Sequence, residues 1–397
     1  MIFKFEERAL KWMNEHILAL AFSATIILSI IIRFLLREFY TTDADGCLIP
    51  WYNAIKDNGG LLGLGTPVEG LNYSFTYQFL IALMTYIPIK PLYAYKILSC
   101  IFDYLLAGAI AYLVYDIVED HRIPKTLLAF IIVSCSPVIF MNSAAWAQCD
   151  SIYTFWVILA IIFLRKEKYL PAFIYYGVGF AFKFQSIFAL PFFLFYYFYK
   201  RKFSVLYFGL IPVTMTVLSL PSLVQGRTIS EMIHIYTDNT SLHTSISNGF
   251  PTFWRLLNDG TGAEGYLSLK YPAMALTVIV LGSFIYMWIR HNIELTGTNI
   301  IIMAFILTYS TIIFLPAMHE RYGYLFEVLA IVIAFISYNT IPLLVGINCL
   351  SLTTYGAFLF GNTVNEWSLA VINIILYILY MIILNKHLCM TKYGNVE

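Results

Sequence analysis

Charge is what this chain has least of. Only 12% of its 397 residues are Asp, Glu, Lys or Arg, 23 acidic against 24 basic, for a net charge of +1. A soluble domain carries roughly 25%, so this composition excludes an ordinary water-facing surface. The balance of signs leaves no field for a polyanion, and no nucleic-acid partner is expected. The six cysteines are scattered, with neither metal-ligand spacing nor a disulfide framework. A phosphate-cradling glycine loop, a Ser-His-Asp signature and a Cys/His cluster are also missing. No internal repeat is visible, which weighs against a transporter made of inverted halves.

What fills the chain instead is apolar: 60% of residues are hydrophobic. Runs of membrane-spanning length follow one another almost end to end. About 20 apolar residues span roughly 30 Å of hydrocarbon as a helix. In lipid the backbone must satisfy its own hydrogen bonds, and continuous rather than alternating runs select helices over a barrel. The fold class expected is therefore an all-α polytopic membrane protein, a single transmembrane domain over 1–397. Residues 1–16 read as an interfacial segment, and 17–36 as a retained anchor. Further runs lie at 95–117, 124–141, 150–165, 203–222, 267–290, 299–316, 322–339, 341–360 and 367–385. The stretch 169–199 reads as two short helices, a hairpin with Lys183 and Gln185 at its tip.

Orientation follows from basic residues in short loops. Segments 1–16, 118–125, 165–168, 200–202, 290–298 and 386–397 hold 14 of the 24 lysines and arginines. Placing these in the cytoplasm puts Asn142–Asp150, the loop 223–266, Met318–Arg321 and Gly361–Glu366 outside. The polar stretch after the first helix, within 37–94, is then a first extracytoplasmic loop. For the alternation to hold at 118, Tyr73–Pro88 must be a juxtamembrane or re-entrant helix rather than a span, ended by Pro88 and Pro91. About twelve spans and cytoplasmic termini result.

Polar residues that are costly near lipid gather on the outer side in four segments. They are Thr41–Gly46 with Pro50-Trp51-Tyr52 and the Asn58-Gly59-Gly60 turn, then Trp146–Asp150, then Lys183-Phe184-Gln185, then Met318–Tyr322. Ionisable groups at such positions are functional candidates. Each also has a structural reading. Asp43 and Asp45 suit a solvated turn, Asp150 a helix N-cap, and Lys183 a snorkelling cation or the partner of a helix C-terminus. Asp103, inside a span near Tyr104 and Lys96, reads mainly as a structural hydrogen-bonding group. A loop aspartate beside His, Lys and Arg suits transfer from a phosphate-linked donor. The carboxylate takes a proton from an attacking hydroxyl, and the cations stabilise charge on the departing phosphate.

The run Asp43…Pro50-Trp51-Tyr52…Asn58-Gly59-Gly60, Asn72-Tyr73-Ser74, Trp146-Ala147-Gln148-Cys149-Asp150-Ser151-Ile152-Tyr153, Ala181-Phe182-Lys183-Phe184-Gln185 and Met318-His319-Glu320-Arg321-Tyr322 resembles the bacterial mannosyltransferase-related proteins of the GT-C glycosyltransferase superfamily. These are similar to the membrane mannosyltransferases of GPI-anchor synthesis. The resemblance covers roughly residues 17–385. Its specific parts are Trp-x-Gln-Cys-Asp and His-Glu-Arg-Tyr. It implies a GT-C-type fold with juxtamembrane helices in a long first loop, a polyprenyl-phosphate-linked sugar donor and inversion at the anomeric carbon. It sets the loop aspartate at Asp43. Ala147 stands where relatives carry Gly, and Phe75 where they often carry Pro.

The function expected is hexose transfer from a polyprenyl-phosphate carrier to a glycan or lipid-linked acceptor, at an extracytoplasmic site in the cell membrane, during surface polysaccharide assembly. Asp43 is the expected base, with Asp45 as the other loop carboxylate. Arg321, His319 and Lys183 are expected on the donor phosphate. Asp150, Gln148, Glu320, Gln185, Trp51, Tyr73 and Tyr322 are expected on sugar or acceptor. No resident metal is implied, although carboxylates beside a phosphate permit Mg²⁺ or Mn²⁺. A polysaccharide polymerase would rely on Arg-rich outer loops, and 223–266 has only Arg227 and Arg255. A lipid-linked-sugar flippase would carry polar residues along its helices, whereas here they cluster at one face.

Overall fold

The computed structural model describes residues 3–241, 245–257, 263–295 and 297–393, and the chain is 79% helical. The amphipathic helix α1 (Lys4–Glu15) leads directly into α2 (Ile17–Leu35). The first polar loop is itself structured. A π-helical turn over Ala44–Leu48 runs into α3 (Ile49–Asp57), and α4 covers Phe75–Met84. Between them the chain reverses at Gly59 and Gly60, with φ of 99° and 63°, a conformation in which a side chain is strained. Ten residues give α4 only about 15 Å, half a bilayer, so it does not span. Ser74 caps it by accepting the N–H of Tyr77.

Next come α5 (Pro91–Ile117), α6 (Arg122–Cys135), the single turn α7 (Pro137–Phe140) and α8 (Asp150–Arg165). The expected span 124–141 is not continuous, for it breaks at Ser136 with a bend of 41°. Pro137 has no N–H to continue the helix, and Ser136 before it is extended. The stretch 169–199 divides as expected into α9 (Tyr169–Phe182) and α10 (Leu190–Lys200), joined by a 3-10 turn over Phe184–Ala189. Lys183, at φ −151° and ψ 133°, is the break.

The remainder is α11 (Leu210–Leu223), α12 (Ile229–Ser241), α13 (Ala263–Arg290), α14 (Asn299–Phe314), α15 (Tyr324–Ile336), α16 (Ile341–Phe360) and α17 (Glu366–Tyr393). Among the described residues, six helices are long and apolar enough to cross a membrane, or seven with the bent pair. Their outward side chains, such as Ile27, Leu28, Val278 and Ile279, are large and apolar, as a lipid-facing surface requires. The interior belongs to shorter helices: α14 and α15 are buried along almost their whole length. One departure from all-α structure is a two-residue parallel pairing of β1 (Ser247–Asn248) with β2 (Met318–His319). It ties the second polar loop to the Met318–Tyr322 segment.

Charged residues sort to two poles. Arg165 and Lys166 meet Asp116, and Lys200 and Lys202 meet Glu167, at one end of α8, α9 and α10. The helix α8 runs from there to Asp150 at the other end. Inside the bundle, Arg33 Nη2 lies 2.8 Å from Asp103 Oδ2, whose second partner is the Ser143 hydroxyl at 2.5 Å. Asp103 is thus a structural tie between α2, α5 and the 141–145 turn. Its partner is Arg33 rather than Lys96. Lys96 instead donates to the Leu36, Arg37 and Phe39 carbonyls and closes the end of the first span.

Candidate active site

At the pole opposite the basic loops, a cavity of about 400 Å³ opens among six stretches distant in sequence, one of them Tyr236 of α12. The segment leading into α3 contributes Asp43 and Cys47, and α3 itself contributes Trp51. The loop before α4 contributes Asn72 and Tyr73. Gln148 comes from the turn before α8, and Lys183 and Gln185 from the hairpin break. His319 comes from the end of β2, and Arg321 and Tyr322 from the turn after it.

One hydrogen-bonded chain connects them. Asp43 Oδ2 accepts the Trp146 indole N–H at 2.8 Å and the Gln148 amide at 3.0 Å. Oδ1 takes no bond from the described residues and remains available as an acceptor. The other end of the same amide, Gln148 Oε1, accepts Arg321 Nη1 at 2.6 Å and, more loosely, the Tyr73 hydroxyl at 3.4 Å. Arg321 lies over Trp146, with Cζ 5.0 Å from the ring centroid, a cation–π placement. Trp146 and Gln148 thereby hold the carboxylate and the guanidinium in one fixed relation. The backbone that presents Gln148 is turned by Ala147, at φ +61°, where L side chains are uncommon.

Beneath the cavity floor lies Asp150, fully buried. Lys183 Nζ is 2.5 Å from its Oδ1, the Asn142 amide 2.9 Å from its Oδ2, and Arg321 Nη1 3.6 Å from Oδ2. A buried carboxylate holds its charge only when compensated in this way. Asp150 opens α8 without capping it; Cys149 occupies the N-cap position and offers no side-chain bond. The N-cap reading of Asp150 is corrected, and so is a sugar contact through it, because no Asp150 atom reaches the cavity. Lys183 is likewise not a free cation at a hairpin tip. It borders the cavity, but its ammonium is committed to Asp150.

Around Arg321 the electrostatics run one way. Burial works to depress its pKa, but Asp150, then Tyr73 and Asp43, more than offset this and hold it above its usual range. The Tyr73 hydroxyl is pushed well up by burial, so it stays a neutral donor. His319 Nδ1 lies 3.3 Å from Glu320 Oε2, and its ring packs on Tyr322 at 5.3 Å.

Of the sequence candidates, Asp43, Trp51, Tyr73, Gln148, Lys183, Gln185, His319, Arg321 and Tyr322 come together. Asp45, Asp150 and Glu320 do not line this cavity. Asp45 is exposed, and among the described residues its side chain meets only the Tyr40 hydroxyl, at 3.4 Å. Glu320 faces the opposite side of its segment. Participants that carried no assigned role in the sequence include Trp146, Asn142 and Tyr236, the last from α12 and donating to the Phe180 carbonyl at 2.9 Å. Trp146 stood inside the Trp-x-Gln-Cys-Asp run. Asn142 and Tyr236 carried no signal. Among the described residues, no three His, Cys, Asp or Glu side chains converge to hold a metal ion.

A second opening adjoins the first. It is a largely apolar groove of about 540 Å³ between the 3-10 turn with α10 on one side and α13 with the end of α14 on the other. Phe184, Gln185 and Tyr322 line both it and the polar cavity. No protein-family model matches the chain, and no curated protein matches it.

Proposed function

We propose that the protein is an inverting glycosyltransferase that moves a hexose from a polyprenyl-phosphate carrier to a glycan or lipid-linked acceptor. Its fold would be of GT-C type, with about twelve spans, counting the short interior helices, and the cavity on the extracytoplasmic face. The observation that carries this reading is the junction at Phe184, Gln185 and Tyr322. There a polar cavity holding both a carboxylate and cations meets an apolar groove. A carrier has the same two parts, a phosphate and a hydrocarbon chain, and would lie across the junction.

The chemistry assigns the residues as follows. Asp43 takes the proton from an acceptor hydroxyl, whose oxygen bonds to the anomeric carbon as the bond from that carbon to the phosphate oxygen breaks. The electron pair leaves with the phosphate. Arg321 and His319 stabilise that charge, and an Arg held in place before the reaction loses nothing to reorganisation. Lys183 adds positive potential from behind and, with Asp150, fixes Arg321. Trp51, Tyr73, Gln185 and Tyr322 supply ring and hydrogen-bonding surfaces for the sugar.

Purified protein in detergent micelles, given a radiolabelled hexose on a polyprenyl phosphate and a panel of glycan acceptors, tests the reading. Transfer in micelles supports it. A lipid-linked-sugar flippase would give none there, yet would move labelled carrier across reconstituted vesicles, and that pair of results would overturn it. Products grown by whole repeat units would identify a polymerase instead.

A further inference from the structure

On the far side of the Met318–Tyr322 segment lies a recess of about 380 Å³ that the proposed reaction does not use. Its walls are Glu320 and Gly249, Thr354 and Phe358 of α16, and Asn362 and Glu366 ahead of and at the start of α17. Residues 319–322 form a turn closed by the Tyr322 N–H on the His319 carbonyl. His319 and Arg321 line the cavity, and Glu320 between them lines the recess. The two chambers therefore differ in lining, one with Asp43 and Arg321 and the other with two carboxylates.

Both carboxylates are anchored. His319 lies beside Glu320, and Arg255 pairs with Glu366. Each keeps lone pairs for a ligand. The backbone is left bare where Glu320 sits: a Cβ on Gly249 would fall 2.1 Å from Glu320 Oε1. Phe358 is 39% exposed, and its ring stacks on Trp146 at 4.5 Å and 24°. Trp146 is the residue whose indole binds Asp43, so a group resting on Phe358 is one ring away from the base.

Two carboxylates, an amide and a hydroxyl around a half-exposed ring match one ligand chemistry. Vicinal hydroxyls donate to carboxylates, the amide does both, and the C–H face of a pyranose rests on an aromatic ring. The same carboxylates repel phosphate or uronate. We propose that this recess binds a neutral hexopyranose, a sugar unit of the acceptor; only the word acceptor rests on the glycosyl-transfer reading.

Saturation-transfer NMR on the full-length protein in micelles tests it, with methyl glucoside, galactoside and mannoside as neutral probes and methyl glucuronide as the anionic one. At least one neutral glycoside should bind with a Kd on the order of 1 mM. Asn362→Ala, Glu366→Gln and Phe358→Leu should each weaken it by roughly fivefold, the worth of one polar or ring contact. Asn362 is exposed, so its variant is expected to fold. Arg321→Ala should leave glycoside binding unchanged, and the glucuronide should not bind. The assignment is overturned if no neutral glycoside binds, if the glucuronide binds equally, if Arg321→Ala abolishes binding, or if the three recess variants bind as the parent does. Acceptor KM in the transfer assay separates the two proposals. Recess-dependent sugar binding without any transfer removes the enzymatic reading and keeps the recess. Transfer with unchanged acceptor KM in all three variants does the reverse.

Discussion

Asp43 and Arg321 are joined through a single amide, and their roles in the proposed reaction separate cleanly. Asp43→Asn keeps the shape and removes the proton acceptor, so turnover should fall by roughly 10²-fold or more with donor binding nearly intact. Arg321→Ala should lower both turnover and donor affinity, because the phosphate is charged before and during transfer. Asp45→Asn should leave both near normal, since that carboxylate is exposed and turned toward Tyr40. Initial rates and carrier binding on the three purified variants check this, and a large loss in Asp45→Asn would move the base by two residues. Asp150→Asn tests the buried support. It leaves Lys183 with no countercharge at 2.5 Å, and loss of one partner of a buried pair costs roughly 3–5 kcal/mol. A clear drop in Tm should accompany the loss of activity; unchanged thermal unfolding would refute the buried pairing. The sequence revealed which residues are expensive to keep near lipid, and therefore most of the cavity wall. It did not reveal that Lys183 and Asp150 neutralise one another. That depends on a contact across 33 positions, and either residue alone has an adequate local explanation as a snorkelling lysine or a cap.

At the scale of elements, the hairpin of α9 and α10 is the part whose shape matters most. Its break at Lys183 was legible because one long apolar stretch carried a Lys and a Gln at its middle, and neither is tolerated in an unbroken lipid-facing helix. The bend after Cys135 was less so, since Pro is accepted in many spanning helices when neighbours satisfy the freed carbonyls. Because the hairpin arms are short, the 3-10 turn and α10 leave the groove against α13. Leu194→Trp or Met274→Trp places an indole in that groove. Either change should raise KM for a long-chain polyprenyl-phosphate sugar several-fold and leave a short-chain analogue unaffected. Steady-state kinetics with carriers of two lengths check it, and equal effects on both would detach the groove from the carrier.

For the molecule as a whole, the basic loops gather at one pole and the cavity at the other, which turns topology into a measurable claim. In a background lacking the native cysteines, Cys introduced at the exposed positions Asn58 or Asn362 should react with an impermeant maleimide on intact cells. Cys at Lys166 or Lys202 should react only after permeabilisation. Labelling at 202 from outside would invert the arrangement. Spans on the periphery were readable from length and hydropathy alone. The innermost helices were not fully so: the runs 299–316 and 322–339 shrink to Asn299–Phe314 and Tyr324–Ile336. A helix enclosed by others need not match the bilayer thickness, and Leu315-Pro316 and Ser337 end these two early.

The turn that carries His319, Glu320 and Arg321 between two chambers has a consequence for how such a chain can vary. Point changes there alter one chamber at a time. A single-residue insertion or deletion between His319 and Tyr322 would break the turn that the Tyr322 N–H closes on the His319 carbonyl. Arg321 and Glu320 would both leave their places, so both chambers would fail together. The length of this stretch is thus more constrained than the identity of any one residue in it: a change of length should cost transfer and recess binding together, where a point change costs one.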